Sequence, residues 1–355
     1  MSRYYLEAIR KFEALKSKKE VTILAIESSC DETAVSVVRN GREVLSNIVA
    51  SQIDIHKKFG GVVPEVASRN HVMAIAGCYK EALKEAKISE NDLDAIAVTY
   101  GAGLIGALLV GINFAKTLAY ALNLPLIGVS HVHGHISANY ISHPNLTPPF
   151  VCLMVSGGHT ALLKVDDYTK IRLIGSTVDD SVGECFDKVA RVLGLSYPGG
   201  PNIDRLAKSG RNVIKFNYHE PLKDTFNFSF SGLKTAVVNY VHNNEQAGRE
   251  FSAEDVAASF QELVTDELSE KAVRCCLKEN SKTLVVAGGV GANLRLREKL
   301  KEKCEKENID VFFPILKYCT DNAAMIGSMA YYYLKSGIGL SDLTLTGKAN
   351  VPITI

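Results

Sequence analysis

The sequence predicts an α/β protein made of two similar lobes facing one another across a cleft. Two observations carry this. Short apolar runs alternate with longer amphipathic ones along all 355 residues, and the alternation recurs: each half opens strand, polar turn, strand and ends on alternating strands and helices. Hydrophobic residues make up 46% and charged residues 22%, the balance of a soluble globular protein with enough apolar side chain for a core in each half.

In the first half Val21–Glu27, Thr33–Arg39 and Glu43–Val49 read as strands, separated by a polar stretch and by the turn Asn40-Gly41. Pro64 opens a helix running to about Ala86. Strand Ala95–Tyr100, helix Ile105–Leu122 and strand Leu126–Val129 follow. In the second half Val151–Val155 and Thr160–Val165 flank a tight turn, and helices are predicted over Gly183–Leu195, Gly232–Val241 and Ala253–Glu279. Strand Thr283–Ala287 runs through Gly288-Gly289 into a helix from Ala292, before strand Val311–Phe313 and helix Asn322–Leu334. Neither half has a Gly-x-Gly-x-x-Gly turn after its first strand, which argues against a dinucleotide fold. The predicted division is an extension over 1–21, a first lobe over 22–130, a second over 131–340 with its last helix able to pack back on the first, and a tail over 341–355.

The extension mixes acids and bases, unlike a signal or transit peptide. Tyr5, Leu6, Ile9, Phe12 and Leu15 fall at helical spacing, although a frayed end is the plainer expectation. Lysine plus arginine number 40 against 39 acids, so any basic surface for nucleic acid must be local or supplied by a partner. Eight cysteines with no Cys-x-x-Cys pair, several within apolar runs, read as reduced side chains of a cytoplasmic protein. No apolar run approaches membrane-spanning length, so no membrane is expected.

Five stretches carry chemistry. Ser156-Gly157-Gly158-His159 offers bare backbone N–H groups to an anion, or is a turn chosen for left-handed glycines. Asp31 and Glu32 put adjacent carboxylates in the first turn, a candidate base pair with one pKa raised; the plain alternative is that Asp31 caps its own turn. Gly288 to Asn293 joins a strand to a helix where a flat adenosine could lie, or is packing only. His131-Val132-His133-Gly134-His135 is the sharpest. On a helix, His131 and His135 share a face and one metal ion, whereas on a strand all three histidines share a face. Asp321, at a strand-to-helix junction, is the best third ligand. Finally, Pro198-Gly199-Gly200-Pro201 predicts a rigid turn with exposed donors, between Asp187 and Asp204, whose carboxylates could accept ligand hydroxyls.

Together these segments resemble the TsaD/Gcp family of threonylcarbamoyl-adenosine tRNA modification enzymes. The matching stretches are Ile26–Thr33, Phe59–Glu65, Ser130–His135, Val155–Thr160, Gly183–Lys188, Tyr197–Pro201, Phe228–Lys234, Gly288–Asn293 and Cys319–Asn322. The resemblance implies the actin-like ATPase superfold of two RNase H-like lobes. It also implies one divalent metal ion, Fe(II) or Zn(II), on His131, His135 and Asp321, with His133 off the metal. Ligand-binding positions implied in the same way are Met154, Val155, Ser156, Gly157, Gly158, Asp187, Gly200, Asp204 and Asn293. Gly60 to Glu65 is similar to the bacterial or organellar branch, which implies a TsaB-like paralogue and a TsaE-like ATPase as partners. The implied reaction moves threonylcarbamoyl from threonylcarbamoyl-AMP to N6 of adenine 37 in tRNAs reading ANN codons, with Asp31 or Glu32 as base. Two departures stand out: Ala102 where the family usually has proline, and the extension. Rival readings are a metallopeptidase, which lacks the needed His-Glu-x-x-His because Val132 follows His131, a sugar or carboxylate kinase, and a non-catalytic scaffold paralogue.

Overall fold

The computed structural model describes residues 2–354. Helix α1 (Arg3–Ser17) precedes the first lobe, which runs β1 (Thr22–Glu27), β2 (Glu32–Arg39), β3 (Glu43–Ser51), α2 (Ile53–His56), α3 (Pro64–Ala86), β4 (Ala95–Gly101), α4 (Ile105–Ala121) and β5 (Leu126–Ser130). Then α5 (His131–Ser142) leads to β6 (Phe150–Val155), β7 (Thr160–Asp167), β8 (Lys170–Ser176), α6 (Val182–Val192), α7 (Gly199–Ala207), α8 (Ser231–Gln246) and α9 (Ala253–Lys278). The chain closes with β9 (Thr283–Ala287), α10 (Leu294–Lys306), β10 (Asp310–Phe312), α11 (Ala323–Ser336) and β11 (Leu340–Ser341).

The two sheets repeat one topology. The first is ordered β11-β5-β4-β1-β2-β3 and the second β10-β9-β6-β7-β8. In each, the opening strand lies antiparallel to its hairpin partner and parallel to the strand after the first long helix: β1 beside β2 and β4, β6 beside β7 and β9. Every residue of β1 and β6 is buried, as expected for central strands covered on both faces by helices. The closing pairs Glu27↔Ala34 and Val155↔Thr160 leave connections of six residues, 28–33, and four, 156–159, at equivalent ends of the two hairpins.

One hydrophobic cluster runs through both halves and includes Ala25, Val129, Ile136, Met154, Ala287 and Ile326. Its bridge is α11, which packs on α5 and on the first sheet at β1 and β2. The approach is close at Gly327, where a Cβ would meet Val38 at 2.8 Å. Arg42, in the β2–β3 turn, donates to the carbonyls of Tyr140, His143 and Leu146 and so ties the first sheet to the end of α5.

Three local expectations differ from what is found. The Pro198–Pro201 stretch is not a free turn but the start of α7, with Pro198 at the cap position; Pro201 is tolerated in the first turn because the N–H it lacks would have no helical partner. Strands β8 and β11 were not predicted. The extension is an ordered helix rather than a frayed end, and its buried face is Tyr4, Ala8, Phe12 and Leu15, while Leu6 is 48% exposed. Tyr4 donates to the Leu124 carbonyl at 2.8 Å, and Lys335 Nζ binds the carbonyls of Leu15, Lys16 and Lys18 at the helix C-terminus. Among the described residues no helix is long and apolar enough to cross a membrane.

Candidate functional site

The C-terminal ends of β1, β4 and β5 converge, the usual place for ligands in open α/β sheets. From β5 the chain turns straight into α5, so His131 and His135 stand one turn apart on one face. The helical alternative is therefore the one adopted. From the loop before α11, Asp321 reaches the same point: its Oδ1 lies 3.5 Å from His131 Nε2 and 3.2 Å from His135 Nε2. The three donor atoms all fall within 4.8 Å of one another.

These residues fit a metal ion on three counts. Donor atoms bonded at about 2.1 Å to a tetrahedral ion lie roughly 3.4 Å apart, close to the separations found. Both ring nitrogens of the buried His135 lack a hydrogen-bond partner, although its Nε2 is near the Asp321 carboxylate, so the contact is off the line of a hydrogen bond. Two imidazoles and a carboxylate form a donor set suited to Fe(II) or Zn(II). His133, between them in sequence, faces away: its Nδ1 is 2.5 Å from Tyr333 Oη and its Nε2 2.6 Å from the Ile353 carbonyl. Both nitrogens are thus engaged, and burial pushes this imidazole down to about 4.

The charged groups of the centre shift one another. Burial opposes charge on His131, but the Asp321 and Glu27 carboxylates outweigh it and lift the imidazole to about 9. Burial likewise opposes charge on Asp321, yet the two imidazoles hold it down at about 2. Glu32 is pushed up to about 10, by burial first and then by Asp321 and Asp31. A cation at this centre would offset the carboxylates gathered around it.

A cavity of about 640 Å³ extends from this centre between the lobes. Asp31, Glu32, His131 and Asp321 line one part. Ser156, Gly157 and Gly158 line another, and Asp187, Gly200, Asp204 and Asn293 complete the wall. The cavity thus gathers most of the residues singled out above. His135 sits behind its rim, only 2% exposed, and Met154 and Val155 are fully buried strand residues whose side chains do not line it.

Several ambiguities in the sequence now resolve. Gly157 and Gly158 are not in the left-handed region, and a Cβ on either would meet nothing within 4 Å. Their bareness is therefore not needed by the turn; it leaves backbone open to the cavity, as at Gly200 and Gly289. Gly288 is different: with φ +95 and the Val155 carbonyl 2.4 Å from any Cβ, it is required by packing. Asn293 caps α10 through Leu296 N–H at 2.9 Å and donates to Gln261 at 2.9 Å, so its polar atoms already have partners. Asp187 accepts the Gly199 N–H at 2.6 Å, serving the N-terminus of α7, and burial raises its pKa. Burial raises that of Asp204 as well.

Asp31 does not cap its own turn. Its side-chain hydrogen bond comes from Tyr197 Oη at 3.4 Å, in the other lobe. The loop bearing it is pinned by His71, which sits 3.0 Å from the Cys30 carbonyl and 2.7 Å from the Thr33 hydroxyl, and by Gln52 N–H on the Asp31 carbonyl at 3.0 Å. Glu32 opens β2 and accepts from Ser51 at 3.3 Å. Reasoning from the sequence missed His71, Thr99 and Glu27. The last could have been noticed as an acid ending an otherwise apolar buried strand; it is 0% exposed and 3.0 Å from His131 Nδ1.

Two lobes of equal strand order around a cleft that ends in a His-His-Asp centre define a protein of the actin-like ATPase superfold. Solved structures of that fold include T.kodakarensis HypF (TM-score 0.63, 16% identity, 92% of this chain and 49% of that one). Component A of Acidaminococcus fermentans (R)-2-hydroxyglutaryl-CoA dehydratase is a second (TM-score 0.52, 13% identity, 89% of this chain and 98% of that one). At such identities they speak for the fold alone. The sequence pattern of the family described as "TsaD: tRNA N6-adenosine threonylcarbamoyltransferase" matches residues 43–328. A Clostridium perfringens protein of that name is 57% identical over 333 residues, covering 93% of this chain and 97% of its own. One from Clostridium novyi is 56% identical over 330 residues, 92% and 96%. This chain belongs to the TsaD family and is a tRNA N6-adenosine threonylcarbamoyltransferase. The metallopeptidase and scaffold readings are not favoured.

Proposed function

We propose that the cleft uses threonylcarbamoyl-AMP as donor and the N6 amine of adenine 37, in tRNAs reading ANN codons, as acceptor. The amine attacks the carbamoyl carbon, the new N–C bond forms, and the carbamoyl–phosphate oxygen bond breaks. AMP leaves with that electron pair, and the N6 proton passes to a carboxylate of the Asp31–Glu32 pair. Adenine N6 is a weak nucleophile because its lone pair is conjugated with the ring, so a base held in place is worth roughly 10²–10⁴-fold. A loop pinned by His71 and Gln52 holds Asp31 at the cavity wall without using its carboxylate. An anticodon-loop base is single-stranded and can be splayed into such a cavity without breaking a duplex.

The observation that carries this reading is the meeting, in one cavity, of a carboxylate pair, a His-His-Asp centre and glycines open to the cavity. Ser156 to Gly158 and Gly289 offer backbone to phosphate and adenosine. His131, His135 and Asp321 would hold Fe(II) or Zn(II), which when bound supplies a positive centre for charge developing on the acyl group. The protein would act with a TsaB-like paralogue and a TsaE-like ATPase, since a chain of formal charge +1 has little net charge to neutralise tRNA phosphates. Eight free cysteines suit the reducing cytoplasm.

Nucleoside mass spectrometry of tRNA tests the reaction. With partners and threonylcarbamoyl-AMP, adenosine should gain the threonylcarbamoyl mass at position 37. Unmodified tRNA alongside cleavage of a glycoprotein would overturn the reading in favour of a peptidase.

A further inference from the structure

We infer that Glu27 is a positioning residue: its buried carboxylate fixes the ring of His131 and puts the proton on Nδ1, so that Nε2 is presented to the metal. The inference rests on the metal reading above and extends it to a residue that touches neither ion nor substrate.

Glu27 ends β1, between β2 and β4, and is 0% exposed. A carboxylate buried that deeply is costly unless it is fully hydrogen-bonded. Its Oε1 accepts the Ser29 N–H at 2.5 Å. Its Oε2 accepts the Thr99 hydroxyl at 2.6 Å and faces His131 Nδ1 at 3.0 Å. These partners arrive from the loop after β1, from β4 and from the start of α5, so one carboxylate ties together three neighbouring chain segments at the floor of the cavity. An ionised carboxylate only accepts, so the Glu27 contact requires Nδ1 to be the N–H, and the Ser29 hydroxyl, 3.1 Å from the same nitrogen, can accept from it as well. In the neutral ring Nε2 then carries the lone pair, and it is the nitrogen that faces Asp321, 3.5 Å away. A metal-ligating imidazole needs that tautomer, and outer carboxylates of this kind are worth about 10- to 100-fold in metal affinity.

The isosteric change Glu27→Gln separates this role from space-filling. Ser29 N–H requires an acceptor, so the amide oxygen must take the Oε1 place and the amide NH2 must face His131. That NH2 donates to Nδ1 and drives the proton to Nε2, the wrong nitrogen for a ligand. We expect Glu27→Gln to keep wild-type thermal stability in the metal-free state to within a few degrees, yet to bind Co(II) about 10- to 100-fold more weakly in chelator competition, with altered visible bands. Nitrogen-15 histidine NMR of the metal-free proteins, recorded above pH 9 so that the His131 imidazole is neutral, should show a hydrogen-bonded Nδ1 proton on His131 in the wild type and its loss in the variant. Wild-type Co(II) affinity in Glu27→Gln, or a wild-type His131 without a proton on Nδ1, would overturn the proposal. A wild type that binds no Co(II) would instead sink the metal reading, while the Nδ1 proton would still decide the role of Glu27.

Discussion

Asp31 is a carboxylate that does not cap its own turn; among the described residues its side chain accepts a hydrogen bond from Tyr197 Oη across the cleft. Asparagine keeps its size and can still accept from that hydroxyl. Asp31→Asn should therefore leave metal content and folding intact while single-turnover transfer falls by about a hundredfold or more. Glu32→Gln should do the same if the pair acts together, and much less otherwise. Near-normal rates in both would make these acids merely a turn. His133 sharpens the ligand assignment, because it is a buried histidine with other duties: His133→Ala strands Tyr333 and the Ile353 carbonyl and should cost about 1–3 kcal/mol in stability with the metal retained. His131→Ala should empty the site. Loss of metal in His133→Ala, with the fold intact by circular dichroism, would contradict the ligand set.

At the scale of elements, the strands were the most legible part of the sequence. Central strands β1, β6 and β9 are apolar runs bounded by turns, because both faces are covered. Edge strand β8 escaped because its exposed Lys170 and Arg172 break the apolar run, and β11 is two residues long. The start of α7 escaped because Pro-Gly-Gly-Pro has the local preferences of a turn and is made helical by tertiary context, including Asp187 on the Gly199 N–H. Tertiary context also turned the buried face of α1. There Phe12, 2% exposed, should cost about 3–5 kcal/mol when changed to Ala, measured by chemical denaturation, with metal binding unchanged. A second element-level device is Asp179, before α6, whose carboxylate accepts the Ser229 and Ser231 hydroxyls and the Phe230 and Ser231 N–H groups at the start of α8. Burial opposes its charge, but these donors prevail and hold it below the ordinary carboxylate range. A depressed folded-state pKa gives stability that is present above the unfolded value of about 3.9 and lost as pH falls through the folded one. Acid titration followed by hydrogen exchange should show α8 loosening first at its N-terminal turn. Asp179→Asn, lacking the charge, should flatten that acid limb; an unchanged limb would dismiss the device.

For the whole molecule, the duplication was legible because both halves repeat the same strand and turn order, and the site was legible wherever chemistry-bearing residues cluster in sequence. What escaped were residues that act from a distance. Glu27, Thr99 and His71 reach the site only because three strand ends and α3 converge there, and no local spacing encodes that convergence. The cavity lies between lobes that share one continuous core through α11, so site and fold stand together. With +1 formal charge, the purified chain given only tRNA and threonylcarbamoyl-AMP should fail to turn over repeatedly; multiple turnovers would remove the need for partners. The central claim, that a metal on His131, His135 and Asp321 is part of the transfer, is tested most directly by nucleoside mass spectrometry of tRNA after a single turnover by stripped and reloaded enzyme. Chelator-stripped protein, refolded state verified, should leave adenosine unmodified, and stoichiometric Fe(II) or Zn(II) should restore the threonylcarbamoyl mass. Full transfer by protein shown to hold no metal would contradict the account.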